Sequence, residues 1–168
     1  MYIGVISDTH YSFADEVKHF LDPVDVIWHA GDFGNISTAD EIAAFKPLVG
    51  VHGNCDGIDV RVVYPKTQVF EEEGVVVAMT HIGGFPGHYD YNAYQLILRR
   101  KPALFVCGHS HILRVMNDPT LNMLAINPGS CGNMGIHQVR TALRFHIDDG
   151  RIHGMEVGEW PRLGNAKL

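Results

Sequence analysis

The chain has 168 residues, of which 46% are hydrophobic and 19% charged, and its formal net charge at pH 7 is −6. This length predicts one domain over residues 1–168. A domain of this size buries roughly 70% of the surface that its unfolded chain exposes. The acidic balance excludes the basic surface on which long nucleic acids bind. No stretch approaches the ~18 apolar residues of a membrane helix, and the first ten residues do not resemble a signal peptide.

The cysteines Cys55, Cys107 and Cys131 are too few and too scattered for a disulfide framework or a zinc site built from paired cysteines. We therefore expect a protein of the reducing cytoplasm, with Cys107 and Cys131 in the core. Histidine is the unusual residue type, because the chain contains 11 of them.

The first half of the chain alternates strands with helices. Apolar runs predict strands over 2–6, 24–29 and 47–52. Helices are predicted over 15–21 and 38–46, and Ser37 or Thr38 is the expected N-cap of the second. The resulting βαβαβ order favours a parallel sheet that is covered by helices.

The second half is rich in strands. A hairpin is predicted over 67–71 and 75–80, followed by a helix over 90–101 and a buried strand over 103–107. Further strands are predicted over 112–117, 121–126, 137–147 and 151–157. Together the two halves predict an α/β fold with two mixed sheets packed face to face and helices outside.

Side chains of the kind that bind metals follow the ends of five predicted strands. They are Asp8 and His10, Asp32, Asn54, His81, and His109 with His111. The carboxyl ends of strands are where ligands bind in parallel and mixed α/β sheets. Because residues two apart on extended backbone point to the same side, each i, i+2 pair is expected to reach into one volume.

Two aspartates, one asparagine and four histidines are more ligands than one metal ion takes. The set fits two ions that share a bridging carboxylate. Mixed imidazole and oxygen ligands favour Mn, Fe or Zn over Ca. Two such ions about 3.5–4 Å apart form a template for phosphoryl chemistry, since they activate a shared water and hold two phosphate oxygens.

The motifs that carry these residues occur in a recognisable order. They are DTH at 8–10, GD at 31–32, GNCD at 53–56, His81, GHSH at 108–111 and NPGS at 127–130. Together they resemble the calcineurin-like metallophosphoesterases, in particular the small single-domain phosphodiesterases of bacteria and archaea. The resemblance extends from residue 1 through the NPGS motif.

The resemblance implies a four-layer αββα sandwich that holds two divalent metal ions. It assigns one ion to Asp8, His10 and His111, the other to Asn54, His81 and His109, and both to the bridging Asp32. It implies in-line attack on phosphorus by a hydroxide that bridges the ions. It also places three residues in catalytic roles, namely Asp32, Asn54 and His81. The Asn54 amide would in addition contact the substrate phosphate.

The sequence departs from the wider family at two positions. Many relatives have histidine near the leaving group where this chain has Cys55. A neutral thiol is a poor proton donor, so we expect a preference for phosphodiesters with good leaving groups. The residues after His81 also differ from the family pattern, and His88 in that loop is a candidate substrate contact or acid.

The other histidines have structural interpretations. We expect His29 and His52 to pack or to support the ligands rather than to bind metal. His19, His137, His146 and His153 are predicted to lie on the surface or on strands. The NPGS turn is predicted to support the GHSH loop.

Three other classes of hydrolase do not fit the sequence. The chain lacks the HxHxDH pattern of metallo-β-lactamases, the roughly 250 residues of an amidohydrolase barrel, and the GxSxG elbow of serine hydrolases. A phosphomonoesterase on the same centre and a metal-free scaffold of the same fold remain as alternatives. Mn²⁺ is the expected metal, with Fe, Ni or Zn as alternatives. The expected partner is a small phosphate ester rather than a long nucleic acid or a membrane, and a homodimer stays open.

Overall fold

The computed structural model describes residues 1–162. Its strands form two five-stranded sheets and a two-stranded hairpin. The strands are β1 (Tyr2–Ile6), β2 (Val26–His29), β3 (Leu48–Gly50), β4 (Thr67–Glu72), β5 (Val75–Thr80), β6 (Gly84–Phe85), β7 (His88–Tyr89), β8 (Leu104–Val106), β9 (Leu113–Asp118), β10 (Met123–Pro128), β11 (Val139–Asp148) and β12 (Arg151–Pro161). The helices are α1 (Asp15–Leu21), α2 (Ile36–Phe45), α3 (Ile58–Arg61) and α4 (Tyr91–Arg100). The first sheet has the order β12-β11-β1-β2-β3, and the second has the order β4-β5-β8-β10-β9.

The two sheets pack face to face around a cluster of buried apolar side chains. Trp28 of β2 is fully buried there, and its ring meets those of Phe70 and Phe145 edge-on, with centroids 5.2 and 6.0 Å away. Val77 and Leu104 of the second sheet belong to the same cluster. Alternate side chains of the inner strands point into this layer, as period-two burial requires.

Helices cover the outer faces of both sheets. Val17 of α1 and Ile42 of α2 pack in a second apolar cluster against the first sheet. Ala93 and Ile97 of α4 pack in a third cluster with Phe105 of the second sheet. Three apolar interfaces separate four layers, which confirms the predicted αββα sandwich of two mixed sheets.

Strand register brings the carboxyl ends of the strands to one edge of the sandwich. Strands β1, β2 and β3 are parallel, and His29 is aligned with both Ile6 and Gly50. Strands β5, β8 and β10 are also parallel, and Val106 is aligned with Met79 and Ile126. The segments that follow these strands therefore leave both sheets at matched levels.

Local details differ from the sequence predictions. The N-cap of α2 is Asn35, whose side chain accepts from the Thr38 N–H at 2.9 Å, rather than Ser37 or Thr38. The short helix α3 and the β6–β7 hairpin were not predicted. The remaining strands and helices lie within a few residues of their predicted bounds, and residue 168, the predicted end of the domain, is outside the described part of the chain.

Among residues 1–162, no helix is long and apolar enough to cross a membrane.

Candidate metal centre

The predicted ligands lie in loops just beyond the strand ends. Five of them have left-handed backbone, namely Asp8 (φ 54°), His10 (φ 41°), Asp32 (φ 59°), His109 (φ 69°) and His111 (φ 58°). The extended backbone assumed for the two i, i+2 pairs is therefore wrong, although both pairs reach the same edge. Non-glycine residues rarely adopt this conformation, and its concentration here is typical of a functional site.

Backbone hydrogen bonds fasten the ligand loops to each other. The Asp8 N–H donates to the Gly31 carbonyl at 2.9 Å, and the His10 N–H donates to the Asp32 carbonyl at 3.1 Å. The buried Asp56 carboxylate accepts from the backbone N–H groups of Asp32 at 3.0 Å and Gly53 at 2.8 Å. Asp56 thus holds two motifs together, a role that its position at the end of GNCD does not reveal by itself.

The side chains of five predicted ligands converge on a small volume. The Asp8 Oδ1 lies 3.2 Å from the His111 Nε2 and 3.8 Å from the His10 Nε2. The Asp32 Oδ2 lies 3.2 Å from the His81 Nε2 and 3.8 Å from the His10 Nε2. Ligand atoms about 2.1 Å from one ion are roughly 3.0–3.4 Å apart, so these spacings are close to those of a metal site.

Three overlapping sets have all their ligand atoms within 4.8 Å of one another. The sets are Asp8, His10 and His111; Asp8, Asp32 and His81; and His10, Asp32 and Cys55. The first set is the trio that the resemblance assigns to one ion. Asp8, His10 and Asp32 each occur in two of the sets, so the sets share ligands as those of two neighbouring ions would.

Two buried ligand atoms have no hydrogen-bond partner in the described part of the chain, and they indicate that a metal fits here. They are the Asp8 Oδ1 and the His81 Nε2, which are 3.9 Å apart. The other atoms of these side chains are fixed: the Asp8 Oδ2 accepts from the Ser7 hydroxyl at 2.5 Å and the His109 N–H at 3.1 Å, and the His81 Nδ1 lies 2.7 Å from the Ala30 carbonyl. Because buried polar atoms are rarely left unpaired, a cation between them accounts for the arrangement.

The electrostatics keep the carboxylates charged. Burial alone raises the pKa of Asp8, but contacts with His111, His81 and Ser7 outweigh it and lower the pKa below its usual value. Burial is likewise outweighed at Asp32, where His81 and the Cys55 N–H lower the pKa strongly. At His81 burial opposes the charged ring, yet Asp32 and Asp8 raise its pKa. A metal ion bound here would compete with a proton for the His81 ring.

Asn54 and His109 lie at the rim of the cluster. Both line a cleft of about 290 Å³ together with His10, Asp32 and His111. The His109 ring meets the His81 ring edge-on, with centroids 5.2 Å apart. The Asn54 amide donates to the Cys55 Sγ at 3.5 Å, so the side chains assigned to the second ion are less closely gathered than those assigned to the first.

His88 is not brought to the cluster. The β6–β7 hairpin directs it toward Phe85, whose ring centroid is 4.9 Å away, and into a groove lined by Tyr89, Tyr91 and Tyr94. Within residues 1–162 it has no hydrogen bond or ring contact with a predicted ligand. The β6–β7 hairpin turns His88 away from the cluster, and its predicted role at the substrate stays a prediction.

His29 supports the centre from behind, as predicted. Its Nδ1 accepts from the Gly31 N–H at 3.1 Å, and its Nε2 lies 3.0 Å from the Thr9 hydroxyl. A nitrogen that accepts from an N–H is unprotonated, so the ring is neutral. Complete burial lowers the pKa of His29 to about 3.

The NPGS turn supports the GHSH loop, also as predicted. The Asn127 amide donates to the Gly108 carbonyl at 2.7 Å and to the Ser110 hydroxyl at 3.1 Å. Ser130 is fully buried and donates to the Asp8 carbonyl at 2.9 Å, so it fixes the DTH loop instead of facing the cleft.

A second cavity of about 310 Å³ adjoins the cluster on the side of Asn54 and His81. Its wall combines the cationic Arg61 and Lys66 with the apolar Leu96. The Arg61 side chain donates to the backbone carbonyls of Asp56 at 2.7 Å and Asn54 at 3.2 Å, so it also braces the GNCD loop. The cavity offers room for a group attached to whatever binds at the cluster.

Comparisons with known proteins agree with this arrangement. Residues 1–150 match the profile of the calcineurin-like phosphoesterase superfamily domain. A protein of Methanothermobacter thermautotrophicus named "Probable metallophosphoesterase" is 31% identical over 140 residues, which are 77% of this chain and 77% of that protein.

Solved structures share the fold at lower sequence identity. An archaeal phosphodiesterase is 20% identical, with a TM-score of 0.70 over 94% of this chain and 99% of its own. Vps29 of Entamoeba histolytica, solved with Zn²⁺, is 17% identical, with a TM-score of 0.70 over 96% of this chain and 99% of its own. The family profile, the curated relative and the clustered Asp and His side chains lead to one conclusion: the chain belongs to the calcineurin-like phosphoesterase superfamily.

Proposed function

We propose that this protein is a phosphodiesterase that hydrolyses a small phosphate diester at a centre of two divalent cations. The proposal is supported above all by two buried ligand atoms, Asp8 Oδ1 and His81 Nε2, that make no hydrogen bond within residues 1–162 and lie inside a cluster of carboxylates and imidazoles. Mn²⁺ is the favoured metal, with Fe, Ni or Zn as alternatives, since nitrogen and carboxylate ligands suit all of these.

We assign the residues to the two ions as the family resemblance does. Asp8, His10 and His111 would hold one ion, and Asp32 would contribute to both. His81 would hold the second ion, and Asn54 and His109 at the rim would complete that site. When bound, two such ions lower the pKa of a shared water and neutralise phosphate oxygens.

Cys55 supports a preference for diesters over alkyl monoesters. Burial and the nearby Asp32 carboxylate raise the pKa of the Cys55 thiol, which is therefore a weak proton donor near neutral pH. A leaving group at this position departs with little acid assistance. Substrates whose leaving groups need no proton are expected to react fastest.

The cavity beside Asn54 supplies a place for one substituent of the diester. A phosphate held at the cluster would have this cavity of about 310 Å³ on the side of Asn54 and His81. Arg61 and Lys66 in its wall outnumber the one carboxylate of its lining, Asp90, so the cavity would also attract anionic substrates to a chain of net charge −6. A monoester would leave this cavity empty.

The test is hydrolysis of bis(p-nitrophenyl) phosphate and p-nitrophenyl phosphate by metal-stripped protein, with and without added Mn²⁺. We expect Mn²⁺-dependent cleavage that is faster for the diester. Asp8→Asn removes a charged ligand and should lower kcat/KM by about a hundredfold or more. Asp22→Asn, the same change at an exposed position after α1, is the matched control and should leave kcat/KM unaltered.

The outcomes separate the alternatives. Faster cleavage of the monoester would replace the diesterase with a phosphomonoesterase on the same centre. Absence of cleavage with Mn, Fe, Ni and Zn would contradict an enzymatic role and favour a scaffold that uses the same fold to bind a protein.

A further inference from the structure

A histidine outside the predicted ligand set contacts a ligand directly. His137 lies in the segment between β10 and β11, and its Nδ1 is 3.1 Å from the Nδ1 of His111. The two rings meet edge-on, with centroids 4.9 Å apart and an interplanar angle of 74°. The sequence predicts that His137 lies on the surface or on a strand, and it gives no sign of this contact.

Hydrogen bonding determines which nitrogen of each ring carries a proton. The His137 Nε2 lies 3.0 Å from the Gly132 carbonyl, and a carbonyl only accepts, so this nitrogen is the donor. With its proton on Nε2, the His137 ring offers its Nδ1 as an acceptor. Its neighbour, the His111 Nδ1, can then donate to it, and the His111 Nε2 is left to bind a cation.

The His111 Nε2 faces the metal cluster, 3.2 Å from the Asp8 Oδ1 and 3.3 Å from the His10 Nε2. In the metal-free protein it can share a proton with the Asp8 carboxylate, and a bound cation would replace that proton. His81 is arranged in the same way, with its Nδ1 on the Ala30 carbonyl and its Nε2 toward the cluster. The His137 ring contacts the Nδ1 of His111, just as the Ala30 backbone carbonyl contacts the Nδ1 of His81.

The segment that carries His137 is anchored to the DTH loop. The Cys131 N–H donates to the Ser7 carbonyl at 3.1 Å, and the Gly132 N–H donates to the Asp8 carbonyl at 3.2 Å. A Cβ on Gly135, whose φ is 128°, would lie 2.5 Å from the His111 Nδ1. The backbone is therefore packed tightly around the histidine pair, and the contact between the rings is part of how this segment docks.

We propose that His137 is a positioning residue that sets the protonated Nδ1 of His111 and so directs the His111 Nε2 to the metal. The inference rests on the proposed metal centre. Hydrogen-bond partners of metal-bound histidines typically contribute about 10–100-fold in metal affinity. His137 itself is not a ligand, because both of its nitrogens are already engaged.

The test compares His137→Phe, which keeps a flat ring without hydrogen bonds, with His137→Gln, which keeps a donor and an acceptor. His153→Phe, the same change at an exposed position on β12, is the matched control. Two quantities are measured: the tautomer of His111 by long-range ¹H–¹⁵N correlation on metal-free protein, and Mn²⁺ affinity by calorimetry. The His111 signals are assigned by comparison with His111→Gln.

We expect the protonated Nδ1 form of His111 in the wild type and in His153→Phe. His137→Phe should shift His111 toward the protonated Nε2 form and weaken Mn²⁺ binding by about 10–100-fold, with partial recovery in His137→Gln. An unchanged His111 tautomer together with unchanged Mn²⁺ affinity in His137→Phe would overturn the inference. If His137→Phe fails to fold, the same two measurements on His137→Gln against the wild type decide the question.

The tautomer also separates this inference from the proposed function. Wild-type protein that binds no Mn²⁺ would contradict the metal centre. A His111 tautomer that still depended on His137 in such a protein would show that the hydrogen-bond chain exists without a metal to serve.

Discussion

Gly53 lies directly behind the Asp32 carboxylate, and replacing it with alanine tests how accurately that carboxylate must be placed. A Cβ at Gly53 would lie 2.0 Å from the Asp32 Oδ1 and 2.5 Å from the Asp32 N, whereas ordinary contact begins at 3.4 Å. The carboxylate would have to move by about 1.4 Å, the difference between 3.4 and 2.0 Å. Metal sites tolerate deviations of only about 0.2 Å in their ligand distances.

We therefore expect Gly53→Ala to lower kcat/KM for bis(p-nitrophenyl) phosphate by about a hundredfold at saturating Mn²⁺. Overpacking should also lower the free energy of unfolding by about 1–3 kcal/mol. Gly57→Ala adds the same methyl group in the same loop, where the φ is −78° and the only close atom is the side-chain Oδ1 of Asp59 at 2.9 Å. If Gly53→Ala kept its activity within a few-fold of Gly57→Ala, the bridging position of Asp32 would be refuted.

Three further predictions concern groups around the centre and in the core. Since the pKa of His29 falls from 6.5 to about 3 on folding, the unfolded chain binds more protons between these values, and His29 should lower the stability to urea by up to roughly 5 kcal/mol as the pH falls from 6.5 to 3. His29→Gln should flatten the drop between pH 6.5 and about 5, above the range in which the lowered pKa values of Asp8 and Asp32 add to it. A disulfide reagent should modify only the exposed Cys55 in the folded protein but all three cysteines in denaturant, because Cys107 and Cys131 are buried and have pKa values of about 12. Modification of all three cysteines before unfolding would contradict this prediction. Trp28→Ala should lower the free energy of unfolding, measured by thermal denaturation, by about 3–5 kcal/mol. Trp28→Phe should lower it much less, because the buried Nε1 of Trp28 has no hydrogen-bond partner within residues 1–162, and equal losses for the two variants would be inconsistent with this packing.

The layered fold could be predicted from the sequence because its signals are local. Apolar runs indicate the inner strands, and the chain order of strands and helices indicates parallel pairing with helices outside. The cap of α2 was misplaced although its signal was present, since Asn35 stands three residues before Thr38 in the spacing of an N-cap. The helix α3 has only four residues, too few for a periodic pattern.

The sequence predicts which side chains gather at the candidate centre, but it predicts their geometry only in part. Ligand types at strand ends identify Asp8, Asp32 and His81, since parallel strands end at one edge. The left-handed backbone that aims the ligands follows from tertiary contacts and has no local signature. The pairing of His137 with His111 joins residues 26 apart in the sequence, so only the docking of their loops reveals it.

Anomalous diffraction from crystals of the protein loaded with Mn²⁺ would locate the ions at this cluster. We expect two peaks about 3.5–4 Å apart, with Asp32 between them and Asp8, His10 and His111 around one of them. Absence of any peak at this cluster, or a single ion that leaves His81 unbound, would contradict a two-metal centre.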